Sequence, residues 1–204
     1  MKVKFKRGYY RNLFTWKELS TLINIRPLMS SRHRVEVFSL GKKWKWKNSP
    51  WTPDPSCYPP SVMKECLTSY MCQFGDMSRC SKKLNDLAKR LEEEYNMTAD
   101  AQVYTCPNIK LDHPFGIHFD KSDNVIVQCE GRTNFKVWEK VEPDSEESKL
   151  TIEDPPIMDV EMRPGDAIWI PKYYPHLATS RTKRMSVSFP LVEGEKQPRE
   201  WVKL

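Results

Sequence analysis

The stretch GIHFDKSDNVIVQCEGRTNFKVW, residues 116–138, decides the fold of this chain. It contains the short apolar segment Asn124–Glu130 and most of an alternating segment that runs from Thr133 to Glu139, with the turn signal Glu130-Gly131-Arg132 between them. Apolar residues that recur with a period of two are typical of strands that bury one face. The stretch therefore predicts two successive strands joined by a tight turn.

Segments of the same kind recur on both sides of this stretch. The clearest turn between them is Arg163-Pro-Gly-Asp166, whose Pro164 and Gly165 suit the central positions of a type II turn. Many short strands at this spacing predict an antiparallel barrel or jelly roll, so we expect a mainly β fold with its core in residues 100–204. The further predicted strands are Ala101–Thr105, Gly116–Asp120, Met158–Met162, Ala167–Ile170 and Met185–Leu191.

Residues 1–99 predict helices that pack on the barrel. Thr15-Trp-Lys-Glu18 is typical of a capping box, in which a Thr hydroxyl and a Glu carboxylate satisfy free backbone N–H groups at the start of a helix. Apolar residues with helical spacing predict further helices at Ser61–Phe74 and Ser81–Tyr95. We expect residues 1–99 and 100–204 to form two parts of one compact unit.

A basic segment rich in tryptophan and proline lies between these helices. Arg34–Leu40 and Lys43–Lys47 alternate as strands, and in the second one Trp44 and Trp46 share a face opposite three lysines. Ser49–Pro60 contains five prolines and predicts an irregular loop. Interleaved aromatic and cationic residues can bind single-stranded nucleic acid, although a half-buried strand with a wet face has the same pattern.

The positive charge of the chain is concentrated at its N-terminal end. The formal net charge is +6, but residues 1–50 carry 13 Lys or Arg against 2 Asp or Glu, which gives that segment +11. We expect this segment, rather than the acidic connection Glu139–Pro156, to face a macromolecular substrate, and RNA is one candidate partner. A solvated basic surface is the alternative.

Composition excludes several classes of protein. Apolar residues make up 39% of the chain, and seven Trp with only seven Gly exclude a disordered or collagen-like chain. No apolar run approaches the roughly 20 residues of a membrane span. The basic start is not followed by the apolar stretch of a signal peptide. We therefore expect a cytoplasmic protein without membrane association.

The six cysteines predict reduced thiols. They contain no CxxC pair, and a chain of 204 residues needs no disulfide framework to fold. A zinc site built from Cys66, Cys72 and Cys80 is the alternative, although spacings of six and eight residues do not match a zinc knuckle.

Two of the four histidines stand in a pattern suited to metal binding. His118 and Asp120 are two residues apart, so on a strand both side chains point to one face. His176 follows a predicted strand, and a jelly roll can fold that segment back beside the first pair. Two imidazoles and a carboxylate on one side of a metal form the facial triad of non-haem Fe(II) oxygenases. A surface His–Asp pair without a function is the alternative.

In motif order and spacing, residues 100–190 resemble the JmjC-type cupin hydroxylases. The resemblance rests on the segment starting Gln102-Val-Tyr-Thr, on residues 116–138, on residues 162–176 and on Met185-Ser-Val-Ser-Phe189. Enzymes of this family are Fe(II)- and 2-oxoglutarate-dependent oxygenases, including asparaginyl and ribosomal-protein hydroxylases. The resemblance implies a double-stranded β-helix, Fe(II) as the metal and 2-oxoglutarate as the cosubstrate.

The resemblance also implies roles for single residues. The iron ligands would be His118, Asp120 and His176. Asn124 matches an Asn beside the cosubstrate in part of the family, and Ser188 matches a polar position near the metal-binding end of the cosubstrate. Tyr104 can supply a phenol to the cosubstrate carboxylate.

One departure from the family concerns the cation that binds the distal carboxylate of 2-oxoglutarate. The family usually has Lys or Arg fifteen residues after the first ligand His, where this chain has Thr133. A buried carboxylate without a cation lacks a charge-assisted hydrogen bond. We predict that Arg184 supplies the cation, because it has the strand parity of Ser188, and that Thr133 and Tyr104 assist. A solvated Arg184 is the alternative.

Three functions stay open at this point. The first is an Fe(II)/2-oxoglutarate-dependent dioxygenase that hydroxylates a side chain of a protein or peptide. The second is the same chemistry on RNA, which the basic N-terminal segment favours, or on a small molecule. The third is a non-catalytic metal-binding cupin module, which Thr133 favours. Succinate formation separates the first two from the third, and salt-sensitive RNA binding separates the second from the first.

Overall fold

The computed structural model describes residues 2–24, 35–39, 42–44, 60–107, 116–143, 152 and 154–194. Its helices are α1 (Trp16–Asn24), α2 (Pro60–Ser69) and α3 (Lys82–Tyr95), with a 3-10 helix at Met77–Arg79. Its strands are β1 (Lys4–Lys6), β2 (Val35–Ser39), β3 (Lys42–Trp44), β4 (Met71–Phe74), β5 (Thr98–Ala99), β6 (Gln102–Cys106), β7 (Asp123–Glu130), β8 (Thr133–Val137), β9 (Met158–Met162), β10 (Ala167–Ile170), β11 (His176–Ser180) and β12 (Arg184–Val192).

The strands form two antiparallel sheets that face each other. The larger sheet has the order β1-β10-β7-β12-β6-β4-β2-β3, with β5 also paired to β12, and the smaller one has the order β11-β8-β9. A buried apolar cluster occupies part of the space between them, with members from both sheets: Ile126, Phe135, Val137, Met162, Ile168 and Ile170. This architecture confirms the predicted mainly β jelly roll.

A second apolar cluster covers the outer face of the larger sheet. Alternate residues of β12, such as Val187 and Phe189, pack there with Leu84, Leu87 and Leu91 of α3. The intervening residues of β12 therefore point between the two sheets. The predicted packing of the N-terminal helices on the barrel is confirmed.

The type II turn is also present and anchors the N-terminal segment. The N–H of Asp166 donates to the carbonyl of Arg163 at 2.9 Å, and Gly165 has a φ of 94°, which Gly adopts without a Cβ clash. The buried carboxylate of Asp166 accepts the N–H of Gly8 at 3.0 Å and pairs with Arg7 at 2.7 Å. These contacts hold β1 on the edge of β10.

Strands from before residue 99 enlarge the sheet of the core. β1 pairs with β10, and β4 pairs with β6. The division of the chain at residues 99 and 100 stays a prediction.

Two predicted elements are wrong in their extent. The helix over Ser61–Phe74 ends at Ser69, because Met71–Phe74 pairs with β6 as a strand and buries apolar side chains there. Gly116–Asp120 forms a single bridge at His118 rather than a strand. Pairing with strands distant in the sequence determines where this helix ends and where this bridge forms. The local spacing of apolar residues contains no information about such pairing.

The Trp/Pro-rich segment lies largely beyond the described residues. The predicted strand Arg34–Leu40 is observed as β2, and that at Lys43–Lys47 as β3, which the structure describes only to Trp44. Residues 45–59, which include most of the predicted loop Ser49–Pro60, lie outside the described residues, as do His33 and His113. Among the helices that the structure describes, none is long and apolar enough to cross a membrane.

Candidate metal centre and its cavity

A cavity of about 190 Å³ lies between the two sheets. Of the residues that the sequence predicts for the site, all except Thr133 line it. The lining residues are Met71, Tyr104, Gly116, His118, Asp120, Asn124, Ile126, Phe135, His176, Ala178, Arg184, Ser186 and Ser188.

Backbone hydrogen bonds place the two predicted ligand histidines side by side. The N–H of His176 donates to the carbonyl of His118 at 2.8 Å, and the N–H of His118 donates back to His176 at 3.2 Å. The ring centroids are 4.4 Å apart. The Nε2 atom of His176 is 3.8 Å from Oδ2 of Asp120. The structure thus brings together the three side chains that the sequence assigned to a metal.

Contacts at the other ring nitrogen fix the tautomers of both histidines. Nδ1 of His118 is 3.2 Å from the carbonyl of Gly116, and Nδ1 of His176 is 3.0 Å from the carbonyl of Tyr174. A carbonyl only accepts, so we assign the proton to Nδ1 in each ring. Each Nε2 then carries a lone pair, which is the form that binds a metal.

The surroundings of His176 keep its imidazole neutral. Burial lowers the pKa of His176 to about 4, and the neighbouring His118 acts in the same direction. Asp120 and the Tyr174 carbonyl oppose this shift without overcoming it. At neutral pH the lone pair on Nε2 of His176 is therefore available to a metal.

Asp120 is held by a chain of polar side chains. The amide of Asn124 donates to Oδ2 of Asp120 at 3.1 Å, and the hydroxyl of Ser188 donates to Oδ1 of Asn124 at 2.6 Å. The backbone of Asp120 accepts the N–H of Tyr173 at 2.9 Å. Hydrogen-bonded outer partners of this kind orient the ligands of a metal site.

The donor set fits a divalent metal. Two Nε2 lone pairs and a carboxylate are the ligands that non-haem iron takes in a facial triad. As the side chains stand, no three His, Cys, Asp or Glu of the described chain converge closely enough to hold an ion. The side chain of Asp120 is 36% exposed, whereas that of His176 is 4% exposed. Coordination therefore requires a side-chain adjustment, for which the exposed Asp120 has the space.

A buried cation also lines the cavity. Arg184 is only 4% exposed, so it is not the solvated residue of the alternative interpretation. Its Nε donates to the hydroxyl of Ser180 at 2.7 Å, and its Nη1 donates to that of Ser186 at 3.0 Å. Tyr104 also lines the cavity and donates its hydroxyl to Gln102 at 2.9 Å.

Thr133 lies on the strand beside Ser180, a hydrogen-bond partner of this cation, and it does not line the cavity. It pairs with Ser180 across β8 and β11, and it is fully buried. Its hydroxyl has no hydrogen-bond partner in the part of the chain that the structure describes.

The sequence missed several residues that complete the site. Ser186 was detectable, because it lies between Arg184 and Ser188 with the same strand parity. Ser180 was hidden because β11 was not predicted as a strand. Met71 was hidden because its segment was predicted to be helical.

The alternative zinc site finds no support in the described cysteines. Within the described residues, Cys66, Cys72 and Cys80 form no disulfide and belong to no group of side chains able to hold a metal. Burial raises the pKa of the Cys66 thiol to about 11 and that of Cys72 to about 12. These thiols stay protonated at neutral pH, as expected for reduced cysteines in a core.

Residues 76–197 match the family model of the JmjC domain. The chain belongs to the JmjC domain family. The match covers β5 to β12 and all predicted site residues, so the resemblance inferred from the motifs is confirmed.

Two relatives show how the JmjC chain compares with longer proteins. It is 24% identical over 149 residues to the bifunctional lysine-specific demethylase and histidyl-hydroxylase NO66 of Drosophila persimilis, covering 71% of this chain and 21% of that protein. It is 24% identical over 180 residues to ribosomal oxygenase 1 of Rattus norvegicus, covering 84% of this chain and 29% of that protein. The chain thus spans less than a third of the length of these relatives.

A solved structure supports the fold. The ribosomal oxygenase YcfD of Escherichia coli, in complex with cobalt and 2-oxoglutarate, superposes with a TM-score of 0.63 at 18% identity. The similarity covers 95% of this JmjC chain and 49% of that one.

Proposed function

We propose that this JmjC protein is an Fe(II)- and 2-oxoglutarate-dependent dioxygenase that hydroxylates a side chain of a protein or peptide. The observation that carries the proposal is the placement of His118, Asp120 and His176 at one cavity, with both Nε2 lone pairs available. The overall reaction converts 2-oxoglutarate, O₂ and a C–H bond into succinate, CO₂ and a C–OH group.

The residues of the chain hold and shield the reactants. Bound Fe(II) supplies the site at which the 2-oxo acid and O₂ react. His118, Asp120 and His176 would hold the metal, and Asn124 and Ser188 fix the orientation of the Asp120 carboxylate. The apolar lining residues exclude water from the cavity between the sheets: Ile126, Phe135 and Ala178.

The named activities of similar proteins support a protein substrate and this cofactor pair. One relative is named a histidyl-hydroxylase and another a ribosomal oxygenase. A structural neighbour was solved with cobalt and 2-oxoglutarate. We include a cytoplasmic location in the proposal, because the described cysteines form no disulfide among themselves.

The decisive experiment measures succinate and product together. The purified protein is incubated with Fe(II), ascorbate, 2-oxoglutarate and a cell proteome, and peptides are searched by mass spectrometry for the addition of one oxygen. We expect oxygenated peptides and succinate with the native chain and neither with His176→Ala. Asp159→Asn, which changes an exposed carboxylate outside the cavity, serves as the control. Metal binding without succinate would favour the non-catalytic cupin module instead.

An RNA substrate is the second candidate, and the exposed cations of the N-terminal segment favour it. Lys2, Lys4, Lys6, Arg7 and Arg11 are exposed, and Glu18 is the sole acidic residue among described residues 2–24. The same assay on an RNA pool tests this candidate. Oxygenated nucleosides together with salt-sensitive RNA binding would support it over the protein substrate.

A further inference from the structure

We propose that Arg184, positioned by Ser180 and Ser186 and assisted by the hydroxyl of Thr133, forms the site for the distal carboxylate of 2-oxoglutarate. The inference rests on the proposed function and adds to it the position of the cation that binds the cosubstrate. In the resembling family the cation stands on the strand that here carries Thr133, whereas in this chain it stands on β12.

Strand geometry places the cation at the right end of the cavity. Ser188, Ser186 and Arg184 lie on the face of β12 that lines the cavity, and Ser188 bonds to Asn124 beside the metal ligand Asp120. Arg184 lies four residues further along β12, about 13 Å along the strand at roughly 3.3 Å per residue. The long Arg side chain covers part of this distance. A dicarboxylate bound to the metal by its 2-oxo end would direct its second carboxylate toward Arg184.

The guanidinium is held in place as a binding group. It is 4% exposed, and the hydroxyls of Ser180 and Ser186 accept hydrogen bonds from its Nε and Nη1. A guanidinium has five N–H donors in a planar fork that matches a carboxylate. The surrounding low dielectric strengthens a charge-assisted hydrogen bond to an entering carboxylate.

Thr133 provides an independent indication that a ligand binds here. Buried hydroxyls are nearly always hydrogen-bonded, yet that of Thr133 has no partner among the described residues. Thr133 pairs with Ser180, which itself accepts a hydrogen bond from Arg184. A carboxylate bound by Arg184 would supply the acceptor that this hydroxyl lacks.

The test compares two ligands that differ only at the distal end. Protein loaded with Co(II) is titrated without oxygen, by calorimetry, with 2-oxoglutarate and with 2-oxopentanoate, which has the same carbon chain without the second carboxylate. We expect Arg184→Gln to weaken 2-oxoglutarate binding about 10- to 150-fold, the loss of one hydrogen bond to a charged group. Binding of 2-oxopentanoate should change less than about 2-fold. The exposed Arg181, changed to Gln, is the matched control.

Two changes at position 133 test the site further, one with the buried cation present and one with it removed. Thr133→Val keeps the shape of the side chain and should weaken 2-oxoglutarate binding several-fold, while the melting temperature of the ligand-free protein stays equal or rises. Thr133→Lys, introduced into Arg184→Gln, should restore part of the lost preference for 2-oxoglutarate over 2-oxopentanoate. If Arg184→Gln does not fold, Thr133→Val and Arg184→Lys decide the question, and Arg184→Lys should bind 2-oxoglutarate with intermediate affinity.

The outcomes separate this inference from the proposed function. Native protein that binds Co(II) but not 2-oxoglutarate would contradict the proposed function. Native protein that binds 2-oxoglutarate, with unchanged affinity in Arg184→Gln and Thr133→Val, would overturn the relocated carboxylate site alone.

Discussion

Asn124 connects the predicted metal ligand Asp120 to the wall of the cavity. It donates to Asp120 and accepts from Ser188, so it fixes the direction in which the carboxylate points. Loss of such an outer partner typically costs about 10- to 100-fold in metal affinity. We therefore expect Asn124→Ala to lower Co(II) affinity within that range, measured by calorimetry.

The chain offers a matched control for this change. Asn134 donates to the exposed Asp159 at 2.7 Å, outside the cavity. Asn134→Ala should leave Co(II) affinity unchanged. Equal effects of the two changes would show that Asn124 does not orient a metal ligand.

At the scale of elements, the loop from Pro171 to Pro175 connects the two halves of the metal centre. Tyr173 has a φ of 67°, which is unusual for a residue with a side chain. Its N–H donates to Asp120, and its carbonyl accepts the N–H of Val141, each at 2.9 Å. Its ring packs against Phe119 with centroids 5.9 Å apart. The loop therefore holds a strained backbone where it contacts the metal centre.

We expect the backbone conformation of Tyr173 to matter for metal binding. Tyr173→Val places a β-branched residue at positive φ and should cost about 1–3 kcal/mol of stability and weaken Co(II) binding. Tyr173→Gly removes the strain together with the ring and should retain Co(II) binding. Thermal unfolding and Co(II) titration of both variants provide the measurement. Stronger Co(II) binding by the Val variant than by the Gly variant would contradict this expectation.

The start of α1 has a capping arrangement that responds to pH. The N–H of Glu18 donates to the hydroxyl of Thr15 at 3.2 Å, and the carboxylate of Glu18 accepts that hydroxyl at 2.7 Å and pairs with Lys83 at 2.8 Å. The predicted box is thus present, although the carboxylate binds a hydroxyl and a cation. Partial burial alone would raise the pKa of Glu18, but the hydrogen bonds from Lys83 and Thr15 outweigh it and hold that pKa below 4.5.

When folding lowers the pKa of a carboxyl group, its ionised form stabilises the folded protein at pH values above the ordinary pKa of that group. This stabilisation is lost as the pH falls through the pKa that the group has in the folded protein. We expect Glu18→Gln to cost a few tenths to about 1 kcal/mol at pH 7, because the group is partly exposed. The difference from the native chain should vanish in acid. Denaturant unfolding at several pH values measures both quantities, and a difference that persists at low pH would exclude the ionic contribution.

At the scale of the whole molecule, the basic N-terminal segment adds an edge strand to the large sheet. β1 pairs with β10, which leads into the loop before His176, and Lys4 and Lys6 of β1 are exposed. Charges at such a surface attract an acidic partner over about 8 Å at physiological salt. This surface is the described part of the segment that the sequence assigned to the substrate.

We expect Lys4→Glu combined with Lys6→Glu to raise KM for the macromolecular substrate several-fold while leaving substrate-independent 2-oxoglutarate turnover unchanged. The exposed Lys64 of α2, changed to Glu, controls for net charge. Steady-state kinetics at two salt concentrations provide the measurement. A KM that is insensitive to both salt and these changes would assign the lysines to a solvated surface.

The sequence by itself determined those features that depend on neighbouring residues. Alternation with a period of two predicted β8, because a half-buried strand alternates between core and solvent. Short alternating or apolar segments predicted β9, β10 and β12. Because side chains alternate along a strand, Ser188 and Arg184 were expected on one face of β12. The Pro164-Gly165 pair specified the turn at Arg163–Asp166, in which Gly165 has a positive φ. The order and spacing of the motifs indicated the JmjC family, which residues 76–197 confirm.

The tertiary structure alone decided those features that depend on residues distant in the chain. His118 meets His176 through a bridge between segments 58 residues apart, and Met71 reaches the cavity because β4 pairs with β6. Arg184 is buried, and the hydroxyl of Thr133 lacks a partner among the described residues, because of the way β8, β11 and β12 pack around one interior. The spacing of residues along one strand indicates which face of the strand a side chain occupies. Only the pairing and stacking of strands determine whether that face is solvent, core or a binding cavity, because burial is a property of the assembled chain.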